Sequence, residues 1–162
     1  MRHVISITVN NKHGVLARIA GLFSARGYNI ESLNVASLNE NGMGSMTIVV
    51  HGEELVIEQI KKQLNKIIDV LKVVDVTGEN YIDRELVLIK VASSSSIRSE
   101  IMQVANIFRA KIVDISPKTM TLEATGKEDK INALIGMLKP FNIKEIVCTG
   151  KIAMSREYVG KV

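Results

Sequence analysis

The sequence predicts an α+β protein made of two βαββαβ sandwiches in tandem, and three observations carry that expectation. Short segments alternate apolar and polar residues with a period of two, as Ile5, Ile7 and Val9 do against Ser6 and Thr8. Between them lie segments whose apolar residues recur every three or four positions, as Val15, Ile19, Leu22 and Phe23 do. The order strand, helix, strand, strand, helix, strand then runs twice, with a repeat of about 80 residues. At 162 residues and 46% hydrophobic content the chain can bury one ordinary core or two small ones.

Residues 4–9 form the first strand. After the polar break Asn10 to Gly14 the first helix runs to Gly27, where a glycine closes a helix at little steric cost. Leu33, Val35 and Ser37 alternate with Asn34 and Ala36 as a second strand, Asn39 to Gly44 is a turn, and Met46, Ile48 and Val50 form its hairpin partner. Val56, Ile60, Leu64 and Ile67 mark the second helix, with Glu58, Lys61, Lys62 and Lys66 on its solvated face. Leu71, Val73 and Val76 mark a fourth strand. The sheet face away from the helices is expected to be partly exposed.

Gly78 to Asp83 interrupts the pattern and is read as a linker between a module over residues 1–77 and a second over 84–162. In the second, Glu85 to Ala92 is a strand, the run Ser93 to Ser96 can cap a helix, and Ile97, Ile101, Val104, Ala105 and Phe108 mark that helix. Lys111 to Ile115 and Met120 to Thr125 bracket Ser116-Pro117-Lys118 as a hairpin. Ile131, Leu134, Ile135 and Leu138 mark a last helix stopped at Pro140, and Ile143 to Cys148 is a final strand. Both modules are ferredoxin-like sandwiches with two helices on one face of an antiparallel sheet.

Composition removes several function classes. No apolar run reaches the roughly 18 residues of a membrane span, and the start MRHVISITVNN has a strand rhythm where a signal peptide has an apolar centre, so a cytoplasmic protein is expected. The excess of 21 Lys+Arg over 17 Asp+Glu leaves a formal charge of +4, but only six aromatic residues are available to stack bases and none alternates with Lys or Arg along a strand. A nucleic-acid partner is therefore not expected. His3, His13 and His51 lie in different elements without metal-ligand spacing and are read as surface residues. No nucleophile elbow, dinucleotide fingerprint or phosphate loop is present. Cys148 is read as a packed, unreactive thiol, so no catalytic residue and no metal or cofactor site is expected on this chain.

The informative stretch joins the first strand to the first helix: Asn11, Lys12, His13, Gly14, Val15 and Leu16. Two readings fit it. Asn11 can cap the helix while Gly14 relieves crowding. Alternatively, unpaired amides at the helix start hold the carboxylate of a small molecule, which Gly14 lets approach closely, and Asn11 and Asn29 accept from an ammonium group. Asn29 precedes the second strand, which lies at a sheet edge where a second copy can bring its own loop alongside.

The block GLFSARGYNIESL at Gly21 to Leu33, preceded by NNKHGVLARIA, followed by MTIVV at Met46 to Val50 and by IEQIKKQLNKIIDVLKV at Ile57 to Val73, closely resembles the small regulatory subunits of acetolactate synthase, also called acetohydroxyacid synthase. DRELVLIKV, IFRAKIVDISP and TGKIAMSR extend the resemblance through Arg156. It implies an amino-terminal ACT domain that dimerises and binds effector, a carboxy-terminal ACT-like domain, and no catalysis by this chain. The implied partner is the large catalytic subunit, which carries thiamin diphosphate, Mg²⁺ and FAD and condenses pyruvate with itself or with 2-oxobutyrate. The small subunit is then expected to activate it and to confer feedback inhibition by valine, in a cytoplasm or, if plastid-encoded, in the plastid stroma. Carried over by position, the effector contacts fall on Asn11, Gly14, Val15 and Leu16, and on Asn29 and Ile30 across the dimer, with His13 as a neighbour. The rival readings are a stand-alone ACT sensor of another enzyme or transcription factor, an acylphosphatase, which lacks its loop arginine because Arg18 lies a turn inside the helix, and an RNA-binding sheet.

Overall fold

A computed structural model describes residues 1–38 and 42–156; the expected turn at Asn39 to Gly44 falls partly outside them. The first unit holds β1 (Arg2–Asn10), α1 (Val15–Ser24), β2 (Ile30–Ser37), β3 (Met43–His51), α2 (Glu54–Leu64) and β4 (Val70–Asp75). Its antiparallel sheet has the order β2-β3-β1-β4, so β1 is central and β2 and β4 are edges. The alternation in β1 places Ile5, Ile7 and Val9 on the helix side, against Val15, Ile19 and Phe23 of α1 and Ile57, Ile60 and Leu64 of α2. Phe23 is fully buried, and deleting such a side chain leaves a cavity that costs about 3–5 kcal/mol.

Gly27 closes the first helix in the left-handed region, at φ +72°, where its N–H donates to Ser24 O at 3.0 Å and the Tyr28 N–H to Phe23 O at 3.1 Å. Ile67, expected in the second helix, lies beyond its end, although it still packs on the core. Leu71 is exposed because the pairing of β4 with β1 slips there. Val9 faces Val70 and Thr8 faces Lys72, which leaves Leu71 as the extra residue of a bulge.

The second unit repeats the design. It contains β5 (Tyr81–Ala92) from residue 83 onward, α3 (Arg98–Ile107), β6 (Lys111–Ile115), β7 (Thr119–Gly126), α4 (Glu128–Leu138), a 3₁₀ turn (Lys139–Phe141) that carries Pro140, and β8 (Ile143–Cys148). Its sheet order β6-β7-β5-β8 is the same relative order as in the first unit. Val87, Ile89 and Val91 of β5 pack against Ile101, Val104 and Ala105 of α3 and Ile131, Leu134 and Leu138 of α4. The α+β class and the two βαββαβ units are thus as the periodicities require.

Five expectations need correction. Residues 151–156, assigned from the sequence to the second module, group by contacts with the described residues of 1–82, while 83–150 form the other unit. Within the described part of that segment, β9 (Ile152–Ser155) pairs with β5, and Arg156 donates to the side chain of Asn80 at 2.8 Å. Residues 81–83, read as linker, already belong to β5. The far face of the first sheet is partly exposed, as expected, through Ser6, Thr8, Ser45 and Lys72, while Val4, Val49 and Val76 are buried there with Val74, Tyr81 and Ala153 packed on them.

His3 is the third correction. It is 2% exposed, on the helix side of β1, and its Nδ1 lies 3.1 Å from Asp75 Oδ2. Burial by itself raises the Asp75 pKa, but hydrogen bonds from the Thr77 hydroxyl and N–H and from His3 outweigh it and hold the carboxyl below its ordinary 3.8. Cys148 is the fourth: it is exposed, because β8 is an edge strand with five of its six residues exposed, and its Sγ lies 3.7 Å from Glu85 Oε2. Finally, neither Asn11 nor the serine run caps a helix by side chain. Gly14 and Ile97 occupy the cap positions of α1 and α3, and the Ser94 carbonyl accepts from Ile97 and Arg98.

Candidate functional site

The connection from β1 to α1 emerges at one end of the first sheet and is tied on both sides. The Asn10 N–H donates to Asp69 O at 2.7 Å, and the Asn11 N–H donates to Gly42 O at 2.6 Å. Gly14 then takes φ +84°, where a side chain is strained, and an ideal Cβ there would meet nothing within 4 Å. The chain can therefore turn sharply into the helix without covering its first amides. Among the described residues, no backbone carbonyl accepts from the N–H groups of Gly14, Leu16 or Ala17, and α1 has no side-chain cap. Among the described residues, three donors at the positive end of α1 are thus left without a backbone acceptor beside a glycine, an arrangement suited to a carboxylate.

The residues singled out from sequence separate on inspection. Asn11, His13 and Leu16 are exposed and Gly14 is half-buried, all in this connection. Val15 is different: its side chain is fully buried in the core, so only its backbone belongs to the loop, and its N–H already donates to Lys12 O at 3.3 Å. Asn29, exposed, and Ile30, packed against the core, lie at the opposite end of the sheet. Ile30 faces Val50 while Asn10 faces Met43, so the two groups are separated by about 23 Å along β3 at the usual rise per residue. A single copy of the chain does not bring them together.

Two further residues complete the site and carry no motif. Gly44 of β3 lies under the loop: a Cβ built on it would stand 3.2 Å from Asn11 Cβ and 3.3 Å from the Ala36 carbonyl of β2. A glycine in a strand already signals such a close backbone approach. Asp69, 7% exposed, lies on the other flank, with Lys12 Nζ 3.1 Å from one carboxylate oxygen and Arg18 Nη1 3.6 Å from the other. Its pairing depends on the turn after α2, which no local pattern foretells. Among the described residues, no group of three or more His, Cys, Asp or Glu side chains could hold a metal ion.

Two sheets of the same strand order, each backed by two helices, with an open helix start at one sheet end, define a tandem of ACT-like modules. An ACT domain model of the acetohydroxyacid synthase small subunit type matches residues 5–72, and a model of the small subunit of acetolactate synthase matches residues 84–157. The acetolactate synthase small subunit of Aquifex aeolicus is 54% identical over 157 residues, covering 96% of this chain and 82% of that protein. A probable acetolactate synthase small subunit of Archaeoglobus fulgidus is 49% identical, covering 96% and 98%. The crystal structure of the small subunit from Thermotoga maritima matches 98% of this chain and 99% of its own with a TM-score of 0.89 at 39% identity. The chain belongs to the acetolactate synthase small subunit family.

Proposed function

We propose that this chain is a non-catalytic regulatory subunit that binds the large catalytic subunit of acetolactate synthase, raises its activity and makes it subject to feedback inhibition by valine. The supporting observation is the uncovered amide set at Gly14, Leu16 and Ala17, beside a glycine turn that leaves room for a carboxylate. Thiamin diphosphate, Mg²⁺ and FAD belong in this reading to the large subunit, which does the difficult chemistry.

The second half of the effector site comes from a second copy. β2 is an edge strand, paired in the sheet with β3 alone. If two copies pair antiparallel along β2, strand direction reverses across the two-fold axis. The start of one β2, next to Asn29, then lies beside the end of the other, next to Ala36, Gly44 and Asn11. Asn11 and Gly14 of one protomer and Asn29 and Ile30 of its partner so form one cleft for an amino acid. Because the cleft exists only in the pair, a bound effector favours the arrangement that closes it, and such linkage commonly amounts to about 1–3 kcal/mol.

The test is reconstitution with the large subunit. Copurification, faster turnover and inhibition by valine are expected. A chain that binds valine yet neither copurifies with nor activates the large subunit is instead a stand-alone sensor. Dimerisation is checked by sedimentation of Val35→Asp, which puts a charge in the edge strand at a residue 38% exposed; it should be monomeric and insensitive to valine.

A further inference from the structure

We infer that Asp69 determines the ligand specificity of the loop: it sequesters the two cations nearest the helix start, so that the site takes a zwitterionic amino acid and discriminates against simple anions. This rests on the proposed effector site and deepens it. Lys12 lies inside the loop and Arg18 one turn into α1, and both flank open amides that already favour negative charge. Free, such cations would make the loop a general anion trap. Their side chains are largely exposed, yet both point to one buried carboxylate, at 3.1 and 3.6 Å. Asp69 Oδ1 is buried and makes no hydrogen bond, so the Lys12 ammonium is held there by charge.

The position of Asp69 is fixed independently of these ion pairs. Its carbonyl accepts from the last residue of β1, and Val70 beside it pairs with Val9 and is buried in the core. The carboxylate therefore belongs to the framework, while Lys12 and Arg18 are the mobile partners. With them engaged, carboxylate recognition falls to the amides of Gly14, Leu16 and Ala17, and selectivity falls to whatever accepts the ligand's ammonium group. Neutralising Asp69 releases two positive charges at the mouth of the site. A ligand with a carboxylate and no ammonium gains from both, whereas a zwitterion gains on its acid group and loses on its ammonium.

The experiment uses the reconstituted holoenzyme and two probes of the same carbon skeleton, valine and 3-methylbutanoate, with the large subunit alone as the baseline for direct effects. In the parent, valine inhibits through the small subunit and 3-methylbutanoate is far weaker. Asp69→Asn, nearly isosteric and without the charge, should shrink the ratio of the 3-methylbutanoate to the valine half-inhibitory concentration severalfold, up to about fivefold, the upper end for one exposed ion pair. A purely structural role would move both probes together and leave the ratio unchanged, and that result overturns the inference. Lys12→Gln, at an exposed side chain, supplies an independent test should Asp69→Asn misfold: valine inhibition should stay within about twofold, because Lys12 serves Asp69 and not the effector. A larger loss with Lys12→Gln also overturns the inference. A parent holoenzyme indifferent to valine refutes the effector-site reading itself and is told apart from either result.

Discussion

Replacing Gly14 by aspartate should uncouple valine from the holoenzyme while leaving the fold intact. Gly14 lies at φ +84°, and a Cβ there meets no atom within 4 Å, so the cost to folding is the backbone alone. For an L-residue in the left-handed region that is about 1–2 kcal/mol, and aspartate is among the residues that tolerate it best. A domain stable by about 5–15 kcal/mol survives this. The strain is present with or without effector, so it cancels from the binding equilibrium; the new carboxylate does not. Two like charges about 4 Å apart repel by about 1 kcal/mol at the dielectric of water and about 4 kcal/mol at the effective value near a protein surface. The half-buried setting of Gly14 lies between these limits. The concentration of valine for half inhibition should therefore rise by between about fivefold and several hundredfold. Gly14→Ala carries the backbone strain without the charge and should shift it little. The assay is acetolactate formation by the reconstituted holoenzyme over a valine titration, with thermal unfolding of each variant alongside. Equal responses of the two variants, or an aspartate variant inhibited like the parent, would refute the assignment of the ligand's carboxylate to this helix start.

Gly44→Ala places a methyl group between Asn11 Cβ and the Ala36 carbonyl, at 3.2 and 3.3 Å, and should cost about 1–3 kcal/mol in chemical unfolding while also weakening valine inhibition, because the loop must move. Phe23→Ala, at a fully buried position, should cost about 3–5 kcal/mol by urea unfolding. Asp75, with its pKa lowered in the fold, contributes stability that is present above the ordinary carboxylate value of 3.8 and lost as pH falls through its lower folded value. Asp75→Asn should thus be less stable than the parent at neutral pH, with the gap closing below about pH 4 in a series of thermal melts. A gap that stays constant down to the acid limit would mean that the Thr77 and His3 hydrogen bonds do not distinguish the ionised carboxylate.

Local chemistry alone determined much of this protein. A period of two in β1 and of three to four in α1 and α2 can each bury only one face, and glycines at positions 14 and 27 can take positive φ where a helix must begin or stop; no distant residue is needed to read these. Because the same order of elements occurs twice, the paired sandwiches were legible as well.

The remaining features depend on which segments meet in the fold. His3 looks like a surface residue on a strand end until Asp75 closes over it from β4. Cys148 looks buried because Ile146 and Val147 precede it, but β8 is an edge strand and edge residues have neighbours on one side only. Residues 151–156 follow the second unit in the chain and yet pack with the first, since Arg156 reaches Asn80 and Ala153 packs on the far face of that sheet. Val15 and Leu16 are adjacent in the loop motif, but one helical step of about 100° sends the first into the core and leaves the second in water. Asp69 and Gly44 acquire their meaning only where the sheet brings three connections to one end, because periodicity records which face a residue takes and not which distant residue will face it.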